Sequence, residues 1–195
     1  KENITKNNSK YFDAYLLLII DNLKKNDLNK AEKYLFEATT ISNSDGLEQA
    51  ILSSLQNYIY VFKNKEIKKN NKNFGNLSKI NQTFQRCYLN DSKTDNFFYN
   101  LINDYETDYS RYTFFYISYL IENGRVKEAI DLAKEIEYIE SSLLLSQTKS
   151  WIENNNEKKI KKVFSCKDHN HIIGEFLFLI SNLYSSQDNF EKSNF

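Results

Sequence analysis

The stretch Asn123-Gly124-Arg125-Val126-Lys127-Glu128-Ala129-Ile130 reads as the end of one helix and the start of the next. Gly124 supplies the left-handed residue that commonly closes a helix C-terminus. After it, Val126, Ala129, Ile130, Ala133 and Ile136 recur at steps of three and four, which is one face of an α-helix. Before it, Tyr112, Tyr116 and Leu120, with Thr113 and Ile117, repeat with the same period. Residues 112–139 are therefore a helix, a tight turn and a second helix.

The same arrangement occurs again on both sides. Phe12, Ala14, Tyr15, Leu16, Leu17, Leu18, Ile19 and Ile20 make a helix that is apolar nearly all round, as in a helix enclosed by neighbours. Lys25-Asn26-Asp27 is its turn, and Leu28, Ala31, Leu35, Ala38 and Ile41 form the inward face of the helix that follows. Near the end of the chain, Leu177, Ile180, Ser181 and Tyr184 share a face. Gln187-Asp188-Asn189 is the turn there, and Phe190 and Ser193 open another helix. A weaker copy runs from Leu143 to Ile152, turns at Asn154-Asn155-Asn156 and continues through Ile160, Val163 and Phe164. The last three turns lie about 32 residues apart, the spacing of a helical repeat. The clearest units cover 11–42, 110–140, 141–166 and 173–195. The interval 47–108 is degenerate: helices are expected at 47–62 (ending at Asn64), 74–89 and 94–105, with an exposed loop at 68–73.

Composition fixes the class. The 195 residues include no proline and only four glycines. Sheet-rich folds need many tight turns built from those two residues, so an all-α fold follows. The 26 basic residues balance the 26 acidic ones, and 41% of residues are hydrophobic. A folded chain is expected, because disorder combines low hydrophobicity with high net charge. Zero net charge speaks against a nucleic-acid partner held by phosphate neutralisation. The longest apolar run, Ala14 to Ile20, is far short of the ~20 residues that cross a bilayer, so no membrane insertion is expected. Cys87 and Cys166 are too few for a disulfide scaffold. They read as reduced thiols in a reducing compartment, which makes the expected location cytoplasmic.

The helix pairs resemble the tetratricopeptide repeat, a helix-turn-helix of about 34 residues. Tyr15 and Leu18 fit its first helix, and Ala31 and Ala38 stand at the small-residue places of its second. Residues 123–130 match the turn into the second helix, with Ala129 as the small residue. Leu177, Ile180, Ser181 and Tyr184 fit a further first helix, and Ser193 stands where the family has Ala. Three of only six alanines fall where helices must approach closely. Ile19 and Ile117 depart from the pattern where a small residue is usual, and Asn22 where an aromatic is usual. The resemblance implies one domain over 1–195: an α-solenoid of antiparallel helix hairpins, with neighbouring repeats expected beyond Phe195. It also implies a non-enzymatic scaffold without cofactor or metal, which binds a partner peptide or helix in a concave groove. By the family's helical phase, that groove is lined by Asp13, Leu16 and Ile20, by Arg111, Phe114 and Ser118, and by Glu175, Phe178 and Asn182. Tyr112, Tyr116 and Tyr119 are expected to face inward.

Other readings compete with the scaffold. Cys166, His169 and His171 lie within six residues and carry ligands for a metal or groups for catalysis. A structural zinc site, however, takes four ligands from paired clusters, and no second cluster occurs. No glycine-rich phosphate loop or nucleophile elbow is present. Lys158, Lys159, Lys161 and Lys162 would suit an RNA-binding repeat, or else a solvated helix face. Asp104, Glu106 and Asp108, beside Tyr105 and Tyr109, read as a charged binding surface or, more often for such a run, a solvated loop or helix face.

Overall fold

A computed structural model describes residues 8–42, 46–68, 72–104, 111–136 and 143–186. Ten α-helices and no strands occur among them: α1 Asn8–Lys24, α2 Leu28–Ile41, α3 Gly46–Asn64, α4 Asn76–Leu89, α5 Thr94–Ile102, α6 Tyr112–Glu122, α7 Val126–Lys134, α8 Leu143–Glu153, α9 Glu157–Val163 and α10 His169–Ser186. The fold class is all-α. The expected turn at 187–189, the helix at Phe190 and Ser193, residues 69–71 of the expected loop, and residues 105–110 lie outside the described residues. Among the described residues, no helix is long and apolar enough to cross a membrane.

One local device ends four of these helices. Asn26, Asn90, Gly124 and Asn155 each take a positive φ, between 51° and 78°. In each case the next amide reaches back five residues: Asp27 to the Asn22 carbonyl, Asp91 to Arg86, Arg125 to Leu120, and Asn156 to Trp151, all at 2.7–3.0 Å. This is the Schellman closure, which satisfies carbonyls that the helix end would leave unbonded. Asparagine is the side chain best suited to a left-handed residue after glycine, so a glycine-poor chain still turns sharply. At the α1–α2 turn, the Asp27 carboxylate also accepts from the Lys30 amide at 3.2 Å and opens α2.

The chain divides into two compact units. The first comprises Lys1–Asn81 and Ile173–Phe195, and the second Gln82–Ile172.

In the first unit α1, α2 and α3 pack in succession. Phe12, Ile19, Leu23, Ala31, Leu35 and Ala38 are buried between α1 and α2, and Ile51, Leu55, Tyr58 and Ile59 carry the core along α3. Ala31 and Ala38 are fully enclosed, as a close helix approach requires. Ile19, bulky where the family has a small residue, is also fully buried. Phe176 of α10 meets the Tyr58 ring edge-on at 5.5 Å. Here α10 returns to a helix far back in the sequence, a closure that stacking of sequential neighbours does not produce. Three buried polar groups satisfy one another: Tyr58 donates to Asn81 Oδ1 at 2.9 Å, Asn81 Nδ2 to Ser54 Oγ at 2.8 Å, and Ser54 to the Ala50 carbonyl at 2.7 Å.

The second unit is built around aromatic rings. Phe84 of α4 lies 5.2–6.2 Å from the rings of Phe98, Tyr112, Phe115 and Phe164. α6 packs against α5, α7, α8 and α9, and eight of its eleven residues are buried. Ala129 and Ala133 of α7 are buried too. Tyr112 and Tyr119 face the core as the period predicts, and Tyr116 is half-buried. Cys87 of α4 and Cys166, just after α9, form a disulfide across 79 residues, with their Cα atoms 5.4 Å apart. This corrects the expectation of reduced thiols. Two cysteines far apart in sequence carry no pairing signal, and only the packing of α4 beside the α9–α10 connection brings them together. The expectation of a cytoplasmic location rested on those thiols and loses that support.

Candidate functional site

The residues expected to line a groove fall in different places. Asp13, Leu16 and Ile20 lie on α1, and Glu175, Phe178 and Asn182 on α10, all in the first unit. Arg111, Phe114 and Ser118 belong to the second. Leu16, Ile20, Phe114, Ser118 and Glu175 are buried. Ser118 donates its hydroxyl to the Phe164 carbonyl at 2.8 Å and is a core hydrogen bond rather than a groove side chain. The physical reason is that α6 packs against α5, α7, α8 and α9, and Phe114 and Ser118 lie on flanks that those helices cover. Arg111 is half-buried with its guanidinium 5.4 Å over the Phe115 ring, Asp13 is half-buried, and Phe178 and Asn182 are exposed.

The Cys166–His171 segment does not assemble a metal site. The Cys166 sulfur is committed to Cys87. His171 Nδ1 accepts the Ser165 amide at 3.1 Å, and Ser165 donates its hydroxyl to Glu122 at 2.5 Å. The Asp168 carbonyl accepts the His171 and Ile172 amides, which opens α10. These groups join α6 to the start of α10. Among the described residues, no three His, Cys, Asp or Glu side chains lie where they would hold a metal ion.

A second polar cluster ties α5, α6 and α7 together. Asp95 accepts from the Tyr116 hydroxyl at 2.9 Å and from Arg125 Nη1 at 2.7 Å. Arg125 also grips Glu128 through Nε and Nη2, at 2.8 and 2.6 Å. Burial, then the hydrogen bond to Asp95, raises the Tyr116 pKa well above that of a free phenol. The Glu128 carboxylate raises that of Arg125 and is itself held below the ordinary carboxylate range by that guanidinium. Every charge in this cluster is answered, so its chemistry is that of a fastening.

A groove lies on the first unit, between α2 and α3. Its volume is about 520 Å³, and its lining comes from α2 between Asn29 and Thr39 and from Gln56 and Ile59 of α3. That volume falls in the range of ordinary ligand clefts. Leu35 and Ile59 give it an apolar floor. Phe36 stands at its rim with 71% of its surface exposed. The Glu32–Lys63 ion pair, at 2.6 Å, links the two helices. Thr39 is occupied, because its hydroxyl donates to the Phe36 carbonyl at 2.7 Å. The groove can seat an apolar side chain on its floor and offers the amides of Asn29 and Gln56 for orientation. The sequence held a signal for it: Phe36 breaks the three-and-four spacing of Ala31, Leu35 and Ala38, which places a large aromatic off the buried face.

No family model matches the chain, and no curated protein or solved structure matches it either.

Proposed function

We propose that the chain is a non-enzymatic interaction scaffold, built of tetratricopeptide-like helix hairpins, that binds a helical or extended segment of a partner protein. The exposed Phe36 beside the α2–α3 groove carries this reading. A large exposed aromatic next to an apolar floor is the arrangement that a partner's side chains cover, and aromatic residues dominate such contacts. The pairs α1–α2 and α6–α7 support the repeat reading. Each closes through a left-handed residue, and each buries alanine on its second helix. The groove expected from the family's phase gives way to the α2–α3 groove, because its residues on α6 are enclosed.

Selection of a displayed library of amphipathic helical peptides on the purified chain tests this. Enriched peptides should bind wild type and lose about tenfold or more in affinity to a Phe36→Glu variant, as expected when a hot-spot aromatic is removed. Enrichment no greater than on an unrelated helical protein, or equal binding to both forms, would refute it.

A further inference from the structure

α9 reads Glu157-Lys158-Lys159-Ile160-Lys161-Lys162-Val163. Ile160 is fully buried and fixes the inward side. At 3.6 residues per turn, Lys158 and Lys162 then stand opposite Ile160, with Lys159 and Lys161 to either side. All four lysines are exposed. Among the described residues, none of the four has an ion pair or a side-chain hydrogen bond. Lys25, Lys30, Lys63 and Lys134, by contrast, each hold an acidic partner within 3.3 Å. The outward side of α9 is thus a concentration of uncompensated positive charge on a chain whose total charge is zero.

The same hairpin exposes two aliphatic side chains. Val163, at the end of α9, is 45% exposed, and Leu143, at the start of α8, is 87% exposed. α8 runs towards the Asn155 turn and α9 runs back, so Leu143 and Val163 are the residues of the two helices farthest from that turn. The aromatic rings nearby are withdrawn: Phe164 is buried and Trp151 half-buried. The three arginines of the chain lie elsewhere, at 86, 111 and 125.

We infer that the α8–α9 hairpin docks on an anionic bilayer surface through the outward side of α9. Lys158, Lys159, Lys161 and Lys162 would face the headgroups, with Val163 and Leu143 entering the boundary with the acyl chains. Clustered lysines are attracted to anionic lipid, and exposed aliphatic side chains add apolar burial at the interface. Single-stranded nucleic acid would call for exposed rings on which bases stack, and guanidinium forks for phosphates; this surface presents neither. Docking is peripheral, since α9 has only seven residues.

Co-sedimentation of the full chain tests the inference, with vesicles of phosphatidylcholine alone and of phosphatidylcholine with about one third phosphatidylserine. Binding to the anionic vesicles only is expected, with release as rising salt shortens the screening length. Combined Lys158→Gln, Lys159→Gln, Lys161→Gln and Lys162→Gln should weaken that binding by about tenfold or more. Leu143→Ser with Val163→Ser, which keeps the charge, should weaken it several-fold. All six positions are exposed, and an unchanged far-ultraviolet circular dichroism spectrum would confirm that the variants fold. No sedimentation at low salt, equal binding to neutral vesicles, or indifference to the lysine changes would each overturn the inference. Lysine-dependent retention of single-stranded RNA without vesicle binding would also overturn it, and would make the surface a nucleic-acid contact.

Discussion

The two units use the same hairpin and secure it differently. In the first, α1 and α2 meet through alanine and aliphatic side chains, and the charged surface is settled by pairs such as Asp21–Lys25 and Glu32–Lys63. Surface pairs of this kind contribute little each, about 0–1 kcal/mol. The second gathers four rings around Phe84, adds the Cys87–Cys166 bridge and fastens α5, α6 and α7 through Asp95 and Arg125. A shared local motif therefore does not imply a shared source of stability. One unit combines core burial with the buried Tyr58–Asn81–Ser54 network, and the other adds a ring cluster, a disulfide and a charged fastening.

The largest expected difference between the units comes from the bridge. Closing a loop of 79 residues restricts the unfolded chain and contributes about 4 kcal/mol on the chain-entropy account. Reduction, or Cys87→Ala with Cys166→Ala, should lower the stability of the second unit by about that much. The protection of its α6 amides against hydrogen exchange should fall, while that of α3 amides in the first unit stays the same. The single tryptophan, Trp151, lies in the second unit and reports its unfolding by fluorescence. Equal loss of protection in both units would show that they unfold as one.

A smaller effect probes what the units share. Ala31→Leu and Ala129→Leu each force a larger side chain into a fully enclosed place, and should cost about 1–3 kcal/mol in urea unfolding. An unchanged Ala129→Leu would count against the proposed tetratricopeptide-like reading and leave the likeness to the first hairpin as one of turns alone.

The smallest effect belongs to the fastening. Tyr116→Phe deletes the hydrogen bond to Asp95 and should cost about 1 kcal/mol. The Tyr116 pKa is raised above the ordinary 10.0, so the folded chain favours the neutral hydroxyl. That contribution is complete below about pH 10, where the unfolded phenol is also neutral, and is lost as pH rises from there towards the folded value. The pH dependence of unfolding on the alkaline side should therefore be shallower in Tyr116→Phe than in wild type.

The hairpins were legible because two signals agree at them: the three-and-four period, and an Asn or Gly at the left-handed position. The turns at Asn26, Gly124 and Asn155 could be read before any coordinates. Asn90 makes the same closure, but the flanking helices have no clean period, so nothing drew the eye there. The helices expected at 74–89 and 94–105 are present as α4 and α5, each trimmed at one end. The enclosure of Phe114 and Ser118 was missed for a different reason. Tyr112, Tyr116 and Tyr119 mark one inward face, but Phe114, Phe115, Ile117, Leu120 and Ile121 leave α6 no outward one. A helix so apolar all round belongs in a core. The partners of Asp95, Ser118 and Ser165 come from distant segments, and such pairings depend on tertiary packing that no local pattern encodes.

The bridge also has a mechanical consequence. If the chain were stretched from its two ends, tension would pass from Cys87 to Cys166 through sulfur. The residues between them would bear no load, and about 270 Å of contour would stay hidden, at roughly 3.4 Å per residue. Reduction would release that length, so the oxidised and reduced chains should differ in their maximum extension by almost the whole second unit.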